Sequence, residues 1–239
     1  MKIIKLKTYR EIDTNDKNCL YTDIVSVTRN PIKNQSRSTE THENSHMISS
    51  QIRNEHGRNG KFNGFYYENG RGLTIKEPNL TIVDIRDYVP KNLRGMRYNL
   101  YFNDQVKYWN DQPLYIMEEW NCYTLGGSCA VKDAELDMKL ERTDAVAGCF
   151  EFMVYSTALF MSIKDKDPNY DMEQFKEFFF DLFDRSEIVF NKGRKIPSYK
   201  SPTSDKFYEE YTNSSEGKTF KLFLEREYDQ DMDYGFNYL

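Results

Sequence analysis

Only three histidines occur in the chain of 239 residues, and two of them frame the pentapeptide His42-Glu43-Asn44-Ser45-His46. On an α-helix, residues four apart share a face, so both imidazoles can reach one metal ion. Glu43 is rotated by about 100° from His42 and lies beside that ion, where its carboxylate can take a proton from water. The chemistry this spacing serves is metal-assisted hydrolysis. Zinc lowers the pKa of a water bound to it towards about 7, and the intervening Glu acts as general base.

Two imidazoles do not complete a site, and the sequence has several candidates for the rest. Glu118 and Glu119 are adjacent acids inside the largely apolar helix expected at Leu114 to Leu125. Burying such a pair is costly unless it is paired or bound to metal. At about 100° per residue, Glu118 falls with Leu114 and Cys122, and Glu119 with Tyr115 and Tyr123. Periodicity leaves the choice open. Glu119 is favoured because Tyr123, one turn later on its face, can donate to an oxyanion. Glu118 is then an alternative ligand or a partner of a ligand histidine, and so is Glu151, set among Phe150, Phe152, Met153 and Val154. Glu151 also suits an ion pair with Arg53, Arg94 or Arg97. His56 is a further alternative, beyond the expected end of the motif helix.

The His42–His46 motif resembles that of the zincin superfamily of metallopeptidases, a likeness of five residues and the helix that carries them. The resemblance implies a bound Zn2+, a peptide or protein substrate, a motif helix behind a small sheet and a third ligand from downstream. The metzincin branch would place glycine and histidine where this chain has Ser49 and Ile52, and is excluded. The gluzincin arrangement, with a Glu from a later helix, implies His42, His46 and Glu119 as ligands, Glu43 as general base and Tyr123 as oxyanion donor. The rival reading is a non-catalytic globular interaction protein in which the motif is structural or vestigial.

The elements that must position these groups follow from pattern. Residues 1–8 and 19–27 are β-branched and partly alternating, which predicts strands on either side of the 13–16 turn cluster. After a loop from Pro31 to Gln35, a helix is expected from Ser36 or Ser38 to about Asn54, ending before Gly57. Phe62 to Tyr67, Asn69-Gly70 and Leu73 to Lys76 form a hairpin signal, because both turn residues accept positive φ. A short strand is expected at Leu80 to Ile85. Helices follow at Leu114 to Leu125, Asp144 to Ile163 and Met172 to Asn191, the last with Phe175, Phe178, Phe179, Leu182 and Phe183 at helical spacing. A basic loop at 192–204, a short element at Thr219 to Leu224 and an acidic tail complete the chain. The expected fold is α+β, one domain over 1–239: sheet and motif helix in 1–90, helices in 91–191, loop and C-terminal element in 192–239.

Composition narrows the partners. Aromatic residues make up 15%, enough for a packed core, and the net charge of −5 lends no support to nucleic-acid binding. Residues 145–163 approach the roughly 20 that a membrane span needs. Glu151 at mid-depth and the Gly148-Cys149 pair predict a buried helix instead, so no span is expected. No signal peptide is visible, which suits a cytoplasmic protein or one exported without such a signal. Cys19, Cys122, Cys129 and Cys149 show no Cys-x-x-Cys spacing and are expected to be reduced.

Overall fold

In a computed structural model, the chain is described over residues 3–229 apart from 139 and 142. The acidic tail beyond that range lies outside the described residues. A three-stranded antiparallel sheet in the order β1-β3-β2 is built from Ile3–Lys5 (β1), Phe62–Tyr66 (β2) and Arg71–Lys76 (β3). The hairpin turns at Asn69 and Gly70, with φ of 52° and 65°, and sets Phe65 opposite Leu73 and Tyr66 opposite Gly72. β1 adds to the free edge of β3, Ile3 opposite Leu73. The rest of the regular structure is helical, so the chain is α+β and mostly helix.

Residues 19–27 do not form the expected strand. Cys19–Val27 is a helix, α1, capped by the Asn18 side chain, which accepts from the Tyr21 amide. Leu20, Ile24 and Val27 recur at helical spacing and pack on Ile48, Ile52 and Tyr66, so tertiary burial overrides the β-branched composition. The motif helix α2 spans Arg37–His56, with Ser36 as its N-cap. The expected strand at 80–85 is a short helix, α3, at Ile82–Ile85, nucleated by a reciprocal cap between Thr81 and Asp84. A π-helical turn at Leu100–Asp104 leads to the short α4, Val106–Trp109.

Three long helices follow: α5 at Tyr115–Glu135, α6 at Ala145–Lys166 and α7 at Met172–Gly193. α6 is the one helix among the described residues long and apolar enough to cross a membrane. Here it packs between α5 and α7, with both of its faces buried. Trp120, Phe160, Phe175, Phe178, Phe179 and Phe183 fill the centre and are fully buried. The segment expected as a basic loop becomes helical at Pro202, where proline suits the first turn of α8 (Pro202–Asn213). α9 then runs over Ser215–Asp229, longer at both ends than the expected element. The four cysteines are free thiols.

Candidate metal centre

The site lies where α2 crosses α5. Both helices are thin at the crossing. Ser38 Oγ donates to the Gly126 carbonyl at 2.9 Å, and a Cβ at Gly126 would lie 2.9 Å from the Ser38 carbonyl oxygen and 3.3 Å from His42 Cβ. On the other side, a Cβ at Gly64 would lie 2.6 Å from the Ser49 carbonyl oxygen, so β2 rests directly on the α2 backbone. This contact explains why α2 buries Ser38, Thr41, Asn44, Ser45 and Ser49 rather than an apolar stripe. Ser45 satisfies its hydroxyl along the helix by donating to the Thr41 carbonyl at 2.7 Å.

The crossing brings His42 and His46 against Glu118, Glu119 and Cys122. The two Nε2 atoms are 3.2 Å apart, and Glu119 Oε2 lies 3.4 Å from His46 Nε2 and 3.9 Å from His42 Nε2. For ligand bonds of about 2.0–2.2 Å, the donor atoms of a tetrahedral site stand about 3.3–3.6 Å apart. Two of the three separations are within 0.1 Å of that range and the third exceeds it by a few tenths of an ångström. Glu119 Oε2 is buried and accepts no hydrogen bond. An unpartnered carboxylate oxygen facing two imidazoles fits a cation as its partner.

The other face of His46 is tied down. Its Nδ1 lies 3.0 Å from Glu118 Oε1, and the other oxygen of Glu118 accepts from Arg53 Nη1 at 2.8 Å. Arg53 also donates to Asn63 Oδ1 at 3.0 Å. With its Nδ1 proton committed to Glu118, a neutral His46 turns its Nε2 lone pair towards His42 and Glu119. Arg53 balances the charge of Glu118, and among the described residues no Lys or Arg pairs with the Glu119 carboxylate.

The electrostatics agree. Burial, and then the nearby His46, hold the His42 pKa at about 4, so this imidazole is neutral at physiological pH. Burial opposes a charge on His46, yet the Glu119 and Glu118 carboxylates beside it raise its pKa well above the ordinary value. Burial likewise opposes the charge on Glu119, but the two histidines and Tyr115 lower its pKa. Burial pushes the Cys122 thiol up to about 12, so it is protonated at neutral pH. The cluster thus draws a positive charge to the point between its nitrogens and Glu119, and a proton on His46 answers that demand when no metal does. Protein-family models, curated proteins and solved structures give no match to this chain.

A cavity of about 590 Å³ opens on the cluster, and Glu43 is on its wall. Tyr101, from the π-helical turn, and Tyr115, one turn before Glu119, also line it, and burial followed by the nearby Glu119 carboxylate raises the pKa of both hydroxyls. Trp109 stacks on Tyr115 with ring centres 4.1 Å apart and closes one side. Periodicity could have found Tyr115, which shares the face of Glu119. Tyr101 comes from a five-residue π-helical turn and Trp109 from a four-residue helix, both too short to carry a periodic signal.

Tyr123, expected as the oxyanion donor, is not on this cavity wall. It meets His42 edge-on at 4.4 Å, stacks on Phe152 at 5.2 Å and lies under the Arg97 guanidinium. Its ring covers Gly148, where a Cβ would come within 2.3 Å. Sharing a face with Glu119 is not enough: one helical turn further on, that face is already covered by α6. Glu151 does not reach the cluster either, because its carboxylate is engaged by Arg97 Nη1 at 2.9 Å, the Arg97 amide at 2.6 Å and Tyr155 Oη at 2.7 Å. The His56 side chain is 44% exposed and its Nε2 lies 3.9 Å from Glu55, so it is not brought to the site.

Behind Arg53 and Asn63, Glu77 accepts from the Leu114 amide at 3.0 Å at the start of α5. Burial pushes its carboxyl up to about 8. A Glu in the unfolded chain titrates near 4.3, so the folded chain holds an extra proton between those values and loses stability as pH rises through them. Glu77→Gln keeps an acceptor for Leu114 and does not ionise. Its unfolding free energy, relative to wild type, is expected to be higher by at least roughly 1 kcal/mol near pH 8.5 than near pH 4. Urea melts at the two pH values measure this, and a difference independent of pH would show that Glu77 ionises normally.

Proposed function

We propose that the chain is a zinc-dependent hydrolase acting on a peptide or protein, gluzincin-like in drawing two ligands from a His-Glu-x-x-His helix and the third from a later one. The observation that carries this reading is the approach of His42 Nε2, His46 Nε2 and Glu119 Oε2 to within 3.2–3.9 Å of one another, with the carboxylate oxygen otherwise unpartnered. A cavity beside three ligands suits catalysis better than a structural site, which four protein ligands would close.

Zinc bound there would supply a Lewis acid and lower the pKa of water to about 7. The protein's own groups do the rest. Glu118, held by Arg53, orients His46 and fixes its tautomer. Glu43 takes the proton from the attacking water and can return it to the leaving amine. Tyr101 and Tyr115 steady Glu119, and a hydroxyl from either can donate to the oxygen that becomes negative in the tetrahedral intermediate.

Metal analysis of the purified chain tests this directly. Wild type is expected to bind about one zinc per chain. Glu118→Ala should weaken binding by roughly 10–100-fold, as loss of a partner behind a ligand histidine does, and Glu119→Ala should weaken it more. Wild-type protein that takes up no zinc would overturn the reading. A larger loss in Glu118→Ala than in Glu119→Ala would reassign the third ligand.

A further inference from the structure

Arg53 is the one lysine or arginine among the residues that line the cavity beside the metal centre. Both hydrogens of its Nη1 are committed: one goes to Glu118 Oε2 at 2.8 Å and the other to Asn63 Oδ1 at 3.0 Å. The guanidinium carbon also lies 5.2 Å from the centre of the Trp109 ring, another wall of the same cavity. The group is thus held from three sides. Its Nε and Nη2 make no hydrogen bond among the described residues, yet neither is one of the buried polar atoms that lack a partner. The 13% of the side chain that stays accessible therefore includes that edge.

The N–H bonds of Nε and Nη2 run parallel along one side of a guanidinium, at the spacing of the two oxygens of a carboxylate. The protein's own acids are engaged elsewhere. Glu118 takes Nη1, Glu119 faces the imidazoles, Glu43 lines the cavity between them, and Glu77 accepts from the Leu114 amide behind Asn63. Glu118 spans Arg53 and His46 with contacts of 2.8 and 3.0 Å. An ion on His46 is therefore within about two extended residues of the guanidinium, at roughly 3.3–3.6 Å for each. Zn2+ and Arg53 together offset the charges of Glu43, Glu118 and Glu119, so an anionic substrate group is not repelled. In a peptide, the carboxylate that every sequence offers at that distance from a scissile bond is the C-terminus.

We propose that Arg53 receives the C-terminal carboxylate of the substrate, which makes the chain a carboxypeptidase that releases one or two residues. This rests on the hydrolase reading above. The oxygen of water bonds to the scissile carbonyl carbon, the C–N bond breaks, and the leaving amine takes the proton that Glu43 removed. The test digests N-acetylated tetrapeptides of mixed sequence, each as free acid and as C-terminal amide, with the zinc-loaded full chain. Free acids should be cleaved with kcat/KM about tenfold or more above the amides, the scale of hydrogen bonds to a charged group. Arg53→Gln should bring that ratio to about one. Arg53→Lys keeps a charge for Glu118 without the paired edge and should lower the ratio severalfold. The ratio is internal to each protein, so a general loss through Glu118 or zinc cancels. Calorimetry adds a readout without turnover. Zinc-loaded Glu43→Gln should bind the best-cleaved acid about tenfold tighter than its amide, and adding Arg53→Lys should remove most of that preference. Amides cleaved or bound as well as acids would overturn the proposal and leave the hydrolase reading standing. A ratio left intact by Arg53→Lys would do the same, even if Arg53→Gln fails to fold. Cleavage of neither form would overturn the hydrolase reading, and this proposal with it.

Discussion

Glu43→Gln is expected to lower hydrolysis by about 10²–10⁴-fold while leaving the fold and the metal content intact. Glutamine has nearly the shape of glutamate but cannot accept a proton from water. Glu43 is between the histidines on α2 and lines the cavity, yet it is not among the three residues whose ligand atoms converge. Its loss should therefore cost proton transfer and not metal affinity. Digestion of a broad peptide library by wild type, Glu43→Gln and chelator-treated wild type, with zinc measured in each, separates the two effects. Cleavage undiminished in Glu43→Gln would exclude it as the base. Activity lost together with zinc would show that it supports the ligands instead.

Arg97→Leu is expected to destabilise the chain by about 3–5 kcal/mol, as breaking one side of a buried ion pair does. Arg97 and Glu151 are 7% and 5% exposed, and the guanidinium bridges Glu151 on α6 to Asp144 just before it. Removing it strands a carboxylate in a long, largely apolar and buried helix, where Tyr155 and one amide cannot neutralise it. Replacing both partners with apolar residues of similar size, Arg97→Leu with Glu151→Leu, should restore much of the loss, since the isolated charge is then gone. Urea denaturation of the two single variants and the double variant measures the coupling. A single variant within 1 kcal/mol of wild type would mean that water reaches Glu151.

Those carboxylates also mark how far the sequence is legible. Acids inside apolar helices must have partners, and the cost of leaving them without one singles out Glu118, Glu119 and Glu151 from pattern alone. That cost does not name the partner. Glu151 finds Arg97, Glu118 finds Arg53 and His46, and only Glu119 is left facing both imidazoles. Long periodic helices and the Asn69-Gly70 turn are legible because their signals are local. α1 is not, because Ile24, Val25 and Val27 favour strand by composition and only the packing of Leu20, Ile24 and Val27 on α2 settles the matter. Tyr101 is hidden for a different reason: a π-helical turn shifts the angular position of every later residue, and nothing in the local sequence announces it.

The near-contact of backbones at Gly64 and Gly126 has a consequence for the whole molecule. Where helices are spaced by large side chains, a mutation elsewhere can be absorbed by rotamer changes, and the helices drift by fractions of an ångström. α2 has no such cushion on either side, since main chain meets main chain at Ser49 and at Ser38. The separation of the α2 backbone from β2 and from α5, which carries Glu119, is therefore set by main-chain contact. Substitutions in the aromatic interior can change how firmly the chain is folded while the spacing of these backbones stays close to constant.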